Sequence, residues 1–321
     1  MIRNPAALRL FLQIYMFVLG SVVGSFLNVC IARLPEGKSL VWPGSHCPKC
    51  DFPIRWFDNI PVISFILLRG KCRNCGGSIS WQYPLVELLT ACLFVLLMQK
   101  FTNVLALVIY IIFTCCLVII TFVDFKHYII PNEISIPGIL VGLALSFVPA
   151  RLAGGQLVLT RLAGSPLLSS LLIRSLIGPE YLAKYNHVIQ FLTPFLDSLV
   201  GCITGAGLLY LAGWFSVLVF KKEGMGFGDV KLLAMVGAFL GWKLALMTIM
   251  VGSLMGAGVG LTLILLKLKT RADYIPFGPY LALGSFLSLM WGERLLSLYL
   301  GFGIGLNELI LRLSGSMGIL R

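Results

Sequence analysis

Two groups of side chains in this 321-residue sequence are of types and spacings that do chemistry. The first is a pair of C-x-x-C knuckles, Cys47-Pro48-Lys49-Cys50 and Cys72-Arg73-Asn74-Cys75. Two knuckles about twenty residues apart suit tetrahedral zinc, because each offers two thiolates to one side of the ion. The metal ligands expected are therefore Cys47, Cys50, Cys72 and Cys75. Four thiolates leave no coordination position open to water or substrate, so the zinc is structural. Lys49, Lys71 and Arg73 stand where they offset the negative charge of such a centre, and Gly76-Gly77 permits a tight turn after the second knuckle. Two disulfides, or redox-active pairs, are the competing explanation. A cytosolic setting disfavours stable disulfides, and the total of nine cysteines is odd. His46 reads as a bystander, and Cys30, Cys92, Cys115, Cys116 and Cys202, in or beside apolar runs, as small hydrophobes.

The second group is acidic. Asp124 closes the apolar run Val104–Val123, and Asp229 stands in Gly224-Met225-Gly226-Phe227-Gly228-Asp229-Val230-Lys231, just before another. Both fall at one end of a helix, at about the same depth. Two carboxylates held together ionise one at a time, which leaves an acid and a base near neutral pH, as in aspartic proteases. The glycines before Asp229 would let a substrate backbone come close. The residues alone support a blander explanation equally well: Asp124 faces water and Asp229 caps its helix. Asn28 and Glu87 read as buried helix–helix polar contacts, His127 as an interfacial residue, and Lys231 as a cation placed to tune Asp229.

The elements that must position these groups are set by composition. Hydrophobic residues make up 58% of the chain and charged ones 12%, against roughly 25% charged in soluble proteins. Too few charges remain to cover a water-facing surface, which excludes an ordinary soluble enzyme, a disordered chain and a disulfide-stapled module. The net charge of +12 is concentrated between apolar runs: in 31–83, at Lys221, Lys222 and Lys231, and at Lys267, Lys269 and Arg271. That is the pattern of positive-inside loops rather than of a nucleic-acid surface. The run Ala7 to Val29 is a membrane span and not a signal peptide. Further runs are Pro84–Met98, Val104–Val123, Ile134–Val148, Leu196–Phe220, Leu232–Leu240, Leu244–Leu266 and Phe277–Met290, with a weaker one at Leu295–Leu311. The expected fold is an all-α polytopic membrane protein with about eight transmembrane helices and a small cytosolic zinc-binding insertion after the first. Its divisions are a first helix (1–30), a four-cysteine zinc-binding domain (31–83), helices carrying Asp124 (84–148), an extramembrane or interfacial insertion (149–195) and helices carrying Asp229 (196–321).

The combination resembles the type IV prepilin peptidase family, membrane aspartic proteases with a G-x-G-D motif. That motif stands here as Gly226-Phe227-Gly228-Asp229, and Val123-Asp124-Phe125 matches the first family aspartate. Also similar are Gly24-Ser25-Phe26-Leu27-Asn28-Val29, Cys47-Pro48-Lys49-Cys50, Asp58-Asn59-Ile60-Pro61, Leu68-Arg69-Gly70-Lys71-Cys72-Arg73, Tyr83-Pro84-Leu85-Val86-Glu87 and Pro276-Phe277-Gly278-Pro279-Tyr280. Many family members have Pro-Asp where this chain has Pro131-Asn132, and the insertion is longer than usual.

The resemblance implies removal of the short basic leader of type IV prepilins or type II secretion pseudopilins, just after a glycine, with Asp124 and Asp229 as the catalytic pair. Bifunctional members also methylate the new N-terminus with S-adenosylmethionine, and the presence of the cysteine domain favours that version. No G-x-G-x-x-G fingerprint is present, so the donor site is not an ordinary nucleotide fold. The implied setting is the bacterial inner membrane, with the N-terminus outside and the cysteine domain and aspartates at the cytoplasmic face. The implied partners are the substrate pilins and the lipid bilayer. Glu36, Asp51 or Glu87 would offset repulsion between basic loops and a basic leader, with a plain solvated-loop role as the alternative for Glu36 and Asp51. Two other classes remain at this point: a transporter or channel whose boundary aspartates line an ion path, and a scaffold that presents a zinc ribbon.

Overall fold

A computed structural model describes residues 5–148, 186–221, 226–270 and 275–317. Most of the expected 149–195 insertion, together with Lys222, Gly224, Met225 and Arg271, lies outside them. The described residues form seven long α-helices, a short one and two 3-10 turns (Leu34–Glu36 and Trp56–Asn59), with no β-strand among them. In chain order the α-helices are α1 (Pro5–Arg33), α2 (Ile63–Leu67), α3 (Gln82–Lys100), α4 (Val104–His127), α5 (Asn132–Leu145), α6 (Asn186–Phe220), α7 (Phe227–Leu265) and α8 (Gly278–Met317). Of these, α1, α3, α4, α6 and α7 contain stretches long and apolar enough to cross a membrane. The helices α1 and α6 outrun the expected divisions: α1 continues to Arg33, and α6 begins at Asn186.

Among the described residues five candidate spans are found, and the expected number of about eight is not confirmed. A hydropathy run counts apolar residues and not turns of chain. The runs Leu232–Leu240 and Leu244–Leu266 both fall in α7 but on either side of Gly241, whose φ of 78° and ψ of 171° leave the helical region. They are two helical segments, and Leu233 before the break and Ala245 after it both stand against Gly205. Phe277–Met290 and Leu295–Leu311 share the 40-residue α8. At 14 residues, α5 rises only about 21 Å, short of the hydrocarbon thickness.

Helix packing relies on small residues, because lipid tails give no hydrophobic drive for one apolar helix to prefer another. α6 and α7 meet at Gly201 and Gly237, where a Cβ on Gly237 would fall 2.0 Å from the carbonyl oxygen of Gly201. Beside that crossing the Ser198 hydroxyl donates to the Ala238 carbonyl at 2.6 Å. α1 lies against α3 in the same way: a Cβ on Gly24 would stand 2.7 Å from Glu87 Cα. α4 forms the buried spine, with Tyr110, Phe113, Ile120 and Val123 shielded. α7 is enclosed on every side from Leu232 to Gly241, while Leu254, Leu261 and Leu265 beyond the break face outward. Asp229 therefore sits at the head of the half-helix that the bundle surrounds.

Candidate active site and metal centre

The cysteine module is built from two copies of one local fold. In the first knuckle the Asp51 amide donates to the Cys47 carbonyl at 2.9 Å and the Cys47 amide to Phe52 at 3.0 Å. In the second, Gly76 donates to Cys72 at 2.9 Å and Cys72 to Gly77 at 2.8 Å. The turn residues Asp51 (φ 52°) and Gly76 (φ 67°) are both left-handed, a conformation that glycine and aspartate tolerate. Isolated bridges pair His46 with Pro53 and Lys71 with Ser78, closing each copy at the same point.

This repetition points all four thiols inward. The Sγ atoms of Cys47, Cys50, Cys72 and Cys75 lie within 4.8 Å of one another, and those of Cys47 and Cys75 are 3.9 Å apart. Tetrahedral zinc–sulfur bonds would set neighbouring sulfurs about 3.8 Å apart, so the donor set and its size fit a metal ion. No cysteine is in a disulfide. Amide N–H groups of Cys75 and Asn74 aim at Cys72 Sγ and pull that thiol down to about 7, toward the thiolate that a metal takes. The Asn74 side chain donates to Cys50 Sγ at 3.7 Å. Arg73 is differently employed from expectation: its guanidinium grips Asp58 in a bidentate pair, with Nε–Oδ2 at 3.0 Å and Nη2–Oδ1 at 2.6 Å. Lys49 donates to the Ser78 hydroxyl at 3.1 Å. His46 stays outside the cluster, its Nδ1 3.0 Å from the Gly44 carbonyl oxygen.

The aspartates come from two helix ends. Asp124 lies in the last turn of α4, which Tyr128 closes in the left-handed conformation. It is 5% exposed and does not face water. Asp229, also 5% exposed, is not the cap of α7. Gly226 takes that place, and Asp229 follows in the first turn, where the helix dipole favours an acid. A third helix end completes the site. The Gly278 amide, opening α8, donates to Asp124 Oδ2 at 3.0 Å. A side chain on Gly278 would displace this carboxylate, because its Cβ would fall 2.6 Å from that same oxygen.

Ile130 joins the two halves. A Cβ on Gly278 would reach Ile130 Cδ1 at 3.3 Å, and one on Gly228 would stand 3.0 Å from Ile130 Cβ. The segment leading to Asp229 and the one holding Asp124 thus close on one isoleucine. This corrects the reading of Gly228 as an opening for substrate: it is glycine because Ile130 occupies the space. Lys231 also differs from expectation, since it donates to Asn132 Oδ1 at 2.7 Å and lies over the Phe227 ring, tying α7 to α5. Glu87 is buried and accepts the Val62 amide at 2.8 Å, and Glu36 pairs with Lys38 at 2.5 Å.

With this geometry in place, the sequence relationships are decisive. Residues 18–101 match the bacterial peptidase A24 N-terminal domain, and residues 167–261 match the type IV leader peptidase family. Proteins named prepilin leader peptidase/N-methyltransferase are similar along most of the chain. The Aeromonas salmonicida protein is 33% identical over 309 residues, spanning 88% of this chain and 92% of its own length. The chain belongs to the type IV leader peptidase family. The Pseudomonas aeruginosa relative is 32% identical, over 89% of this chain and 92% of its own. The Myxococcus xanthus relative is 36% identical, over 78% and 63% respectively. No solved structure matches. Asp229 falls inside the leader peptidase match, whereas Asp124 falls between the two matched segments. Sequence reasoning missed the Gly278 amide. Its signal is the Phe277-Gly278-Pro279 order, a glycine just ahead of a proline suited to a helix start.

Proposed function

We propose that this member of the family is a membrane aspartic endopeptidase that removes the short basic leader of prepilins or pseudopilins after a glycine, with Asp124 and Asp229 as its catalytic pair. The observation that carries the reading is that the helix ends bearing two buried aspartates close on Ile130 through Gly228 and Gly278, with the Gly278 amide holding Asp124. One aspartate deprotonates the attacking water. The other, protonated, polarises the scissile carbonyl and then assists departure of the amine. The pair titrates as a unit.

The four thiolates Cys47, Cys50, Cys72 and Cys75 would hold a structural zinc ion, a closed site that folds the module and takes no part in the cut. S-adenosylmethionine, when bound, supplies the methyl group for the new N-terminus, in keeping with the second half of the relatives' name. Lys126, two residues past Asp124, lines the same cavity as Cys47 and Cys72, which supports placing the module and the aspartates on one face. The basic loops make that face the cytoplasmic side of the inner membrane, with the N-terminus outside. A prepilin anchored by a single apolar helix presents its leader there. Neither the ion-path nor the scaffold reading gives the hydrogen-bonded, glycine-framed carboxylates a task.

The test is cleavage of a tagged prepilin in membranes, with S-adenosylmethionine present and the product N-terminus read by mass spectrometry. Loss of the cut in both Asp124→Asn and Asp229→Asn, at wild-type expression, supports the pair. A cut that survives in either variant overturns it.

A further inference from the structure

Another cavity, of about 420 Å³, opens between α3 and α8 at the end of the bundle away from the cysteine module. α3 starts beside the module, where the Tyr83 carbonyl accepts from Asn28, and ends at Lys100 after about 27 Å of helix rise. α8 starts at Asp124, to which the Gly278 amide donates, and reaches Glu293 after about 22 Å. Both lengths approach the hydrocarbon thickness of about 30 Å. The cavity therefore stands at the level of lipid headgroups, on the membrane face opposite the module. Lys100 fixes the two helices to each other there, for its Nζ donates to the Leu289 carbonyl at 2.8 Å and to that of Met290. Gln99, Trp291, Glu293 and Arg294 complete the opening. Glu293 and Arg294 are exposed and form no ion pair among the described residues. Neighbours in a helix point about 100° apart, so the two do not neutralise each other. An acid and a base that line one opening without pairing suit a ligand that carries both signs.

The lining turns apolar at Leu96 and Met290. Leu85, Leu88 and Cys92 are exposed, and they follow one another toward Leu96 and Gln99 at steps of three and four residues, along one face of α3. From Leu85 to Leu96 this stripe is about 16 Å long, the hydrocarbon depth of one leaflet. Trp291, 40% exposed, stands where an indole sits at a membrane interface. A charged opening at headgroup level that continues into an apolar stripe of leaflet length is the complement of a phospholipid. We propose that this cavity binds the headgroup of an aminophospholipid, with the phosphodiester on Arg294 and Gln99, the primary ammonium on Glu293 and one acyl chain along the α3 stripe. A headgroup with no cation would leave Glu293 beside a phosphate of like charge, and a quaternary ammonium has no N–H to give its carboxylate. The bound lipid would tie the far end of α3 to that of α8. On the topology proposed above it belongs to the outer leaflet of the inner membrane. None of these residues takes part in the cleavage proposed above, so lipid binding and peptidase activity can fail separately.

The experiment uses the full chain, delipidated in detergent, as wild type, Arg294→Leu and Glu293→Gln, with thermal unfolding as the check on folding. Native mass spectrometry counts bound lipid in titrations with phosphatidylethanolamine, phosphatidylglycerol and phosphatidylcholine. Wild type should hold one phosphatidylethanolamine about fivefold or more tightly than either of the others. Arg294→Leu should weaken that binding by about fivefold or more, and Glu293→Gln should abolish the preference over phosphatidylglycerol. Phosphatidylethanolamine with a diazirine in its acyl chain, photolysed on wild type in phosphatidylcholine nanodiscs, gives an answer independent of any variant. Adducts concentrated in 85–99 and 289–294 support the site. Adducts spread evenly over the outward helix faces mean annular lipid only and overturn it. Equal binding of the three lipids, a preference for phosphatidylglycerol, or folded variants that bind like wild type overturn it as well.

Discussion

The cysteine module and the aspartate site solve the same problem, the convergence of a few reactive side chains, by opposite means. Each knuckle is a closed local turn whose amide bonds lie within six consecutive residues, and the two knuckles are near copies. The aspartate site has no local fold at all. It exists only where the end of α4, the start of α7 and the start of α8 are packed around Ile130. On the proposed reading a metal ion inside it would hold the module, whereas the aspartates are held by what the bundle does around them. Removing the metal should destroy one and spare the other.

That contrast gives the largest effect expected. Stripping the metal with a chelator, or Cys→Ser at two of the four ligands, forfeits binding energy on the order of 10–16 kcal/mol, which for such modules is folding energy. Amides in 47–78 should lose their hydrogen-exchange protection while those of α4 and of 227–240 keep theirs. If both regions melt together, the separation drawn here is wrong. The next largest effect falls on the other side. Asp124→Asn or Asp229→Asn should slow leader cleavage by about 10²–10⁴-fold or more, with metal content and exchange protection of the module unchanged. Because the two act as a unit, the double variant should be little worse than either single one.

A smaller perturbation sharpens how the bundle positions its carboxylates. In Gly278→Ala the new methyl would stand 2.6 Å from Asp124 Oδ2, whereas in Gly228→Ala it would meet Ile130 Cβ at 3.0 Å. The first pushes directly on the Asp124 carboxylate, the proposed catalytic group, and the second on a hydrocarbon neighbour. Overpacking of this kind costs about 1–3 kcal/mol, so both proteins should fold. Cleavage rates should fall further for Gly278→Ala than for Gly228→Ala, and the module's metal affinity should be unaffected in both. The reverse ranking would mean that the Gly278 amide does not hold Asp124 in the working enzyme.

What was legible in the sequence follows the same division. The knuckles could be read from spacing, because zinc fixes both ligand type and interval, and their turn residues sit within the motif itself. Asp124 and Asp229 could be singled out as acids at the ends of apolar runs. That they meet, and that Gly278 joins them, depends on three-dimensional packing that no local pattern encodes. Gly228 illustrates the limit. Its lack of a side chain was visible, but the reason, Ile130 nearly a hundred residues earlier in the chain, was not.

The smallest effect expected lies within the module and tests whether it carries any stabilising contact besides its metal. Arg73 grips Asp58 with two nitrogens, and the guanidinium hydrogen bond holds that carboxyl below the usual carboxylate range. A carboxyl depressed in the folded state binds its proton more readily when unfolded. Its contribution is therefore fully present above the unfolded value, about 3.9, and is lost as the pH falls through the lower folded value. Exposed ion pairs contribute little, but the bidentate geometry is the arrangement in which such a pair can be measured. The metal itself is released by acid, because protons compete for thiolates, so wild type and Asp58→Asn must be compared at equal metal occupancy. The module of Asp58→Asn should be slightly less stable than wild type at neutral pH, and the two should converge as the pH drops below about 4. A difference that stayed constant across that range would assign the effect to packing of the neighbouring Phe57, over which Arg73 also lies, rather than to charge.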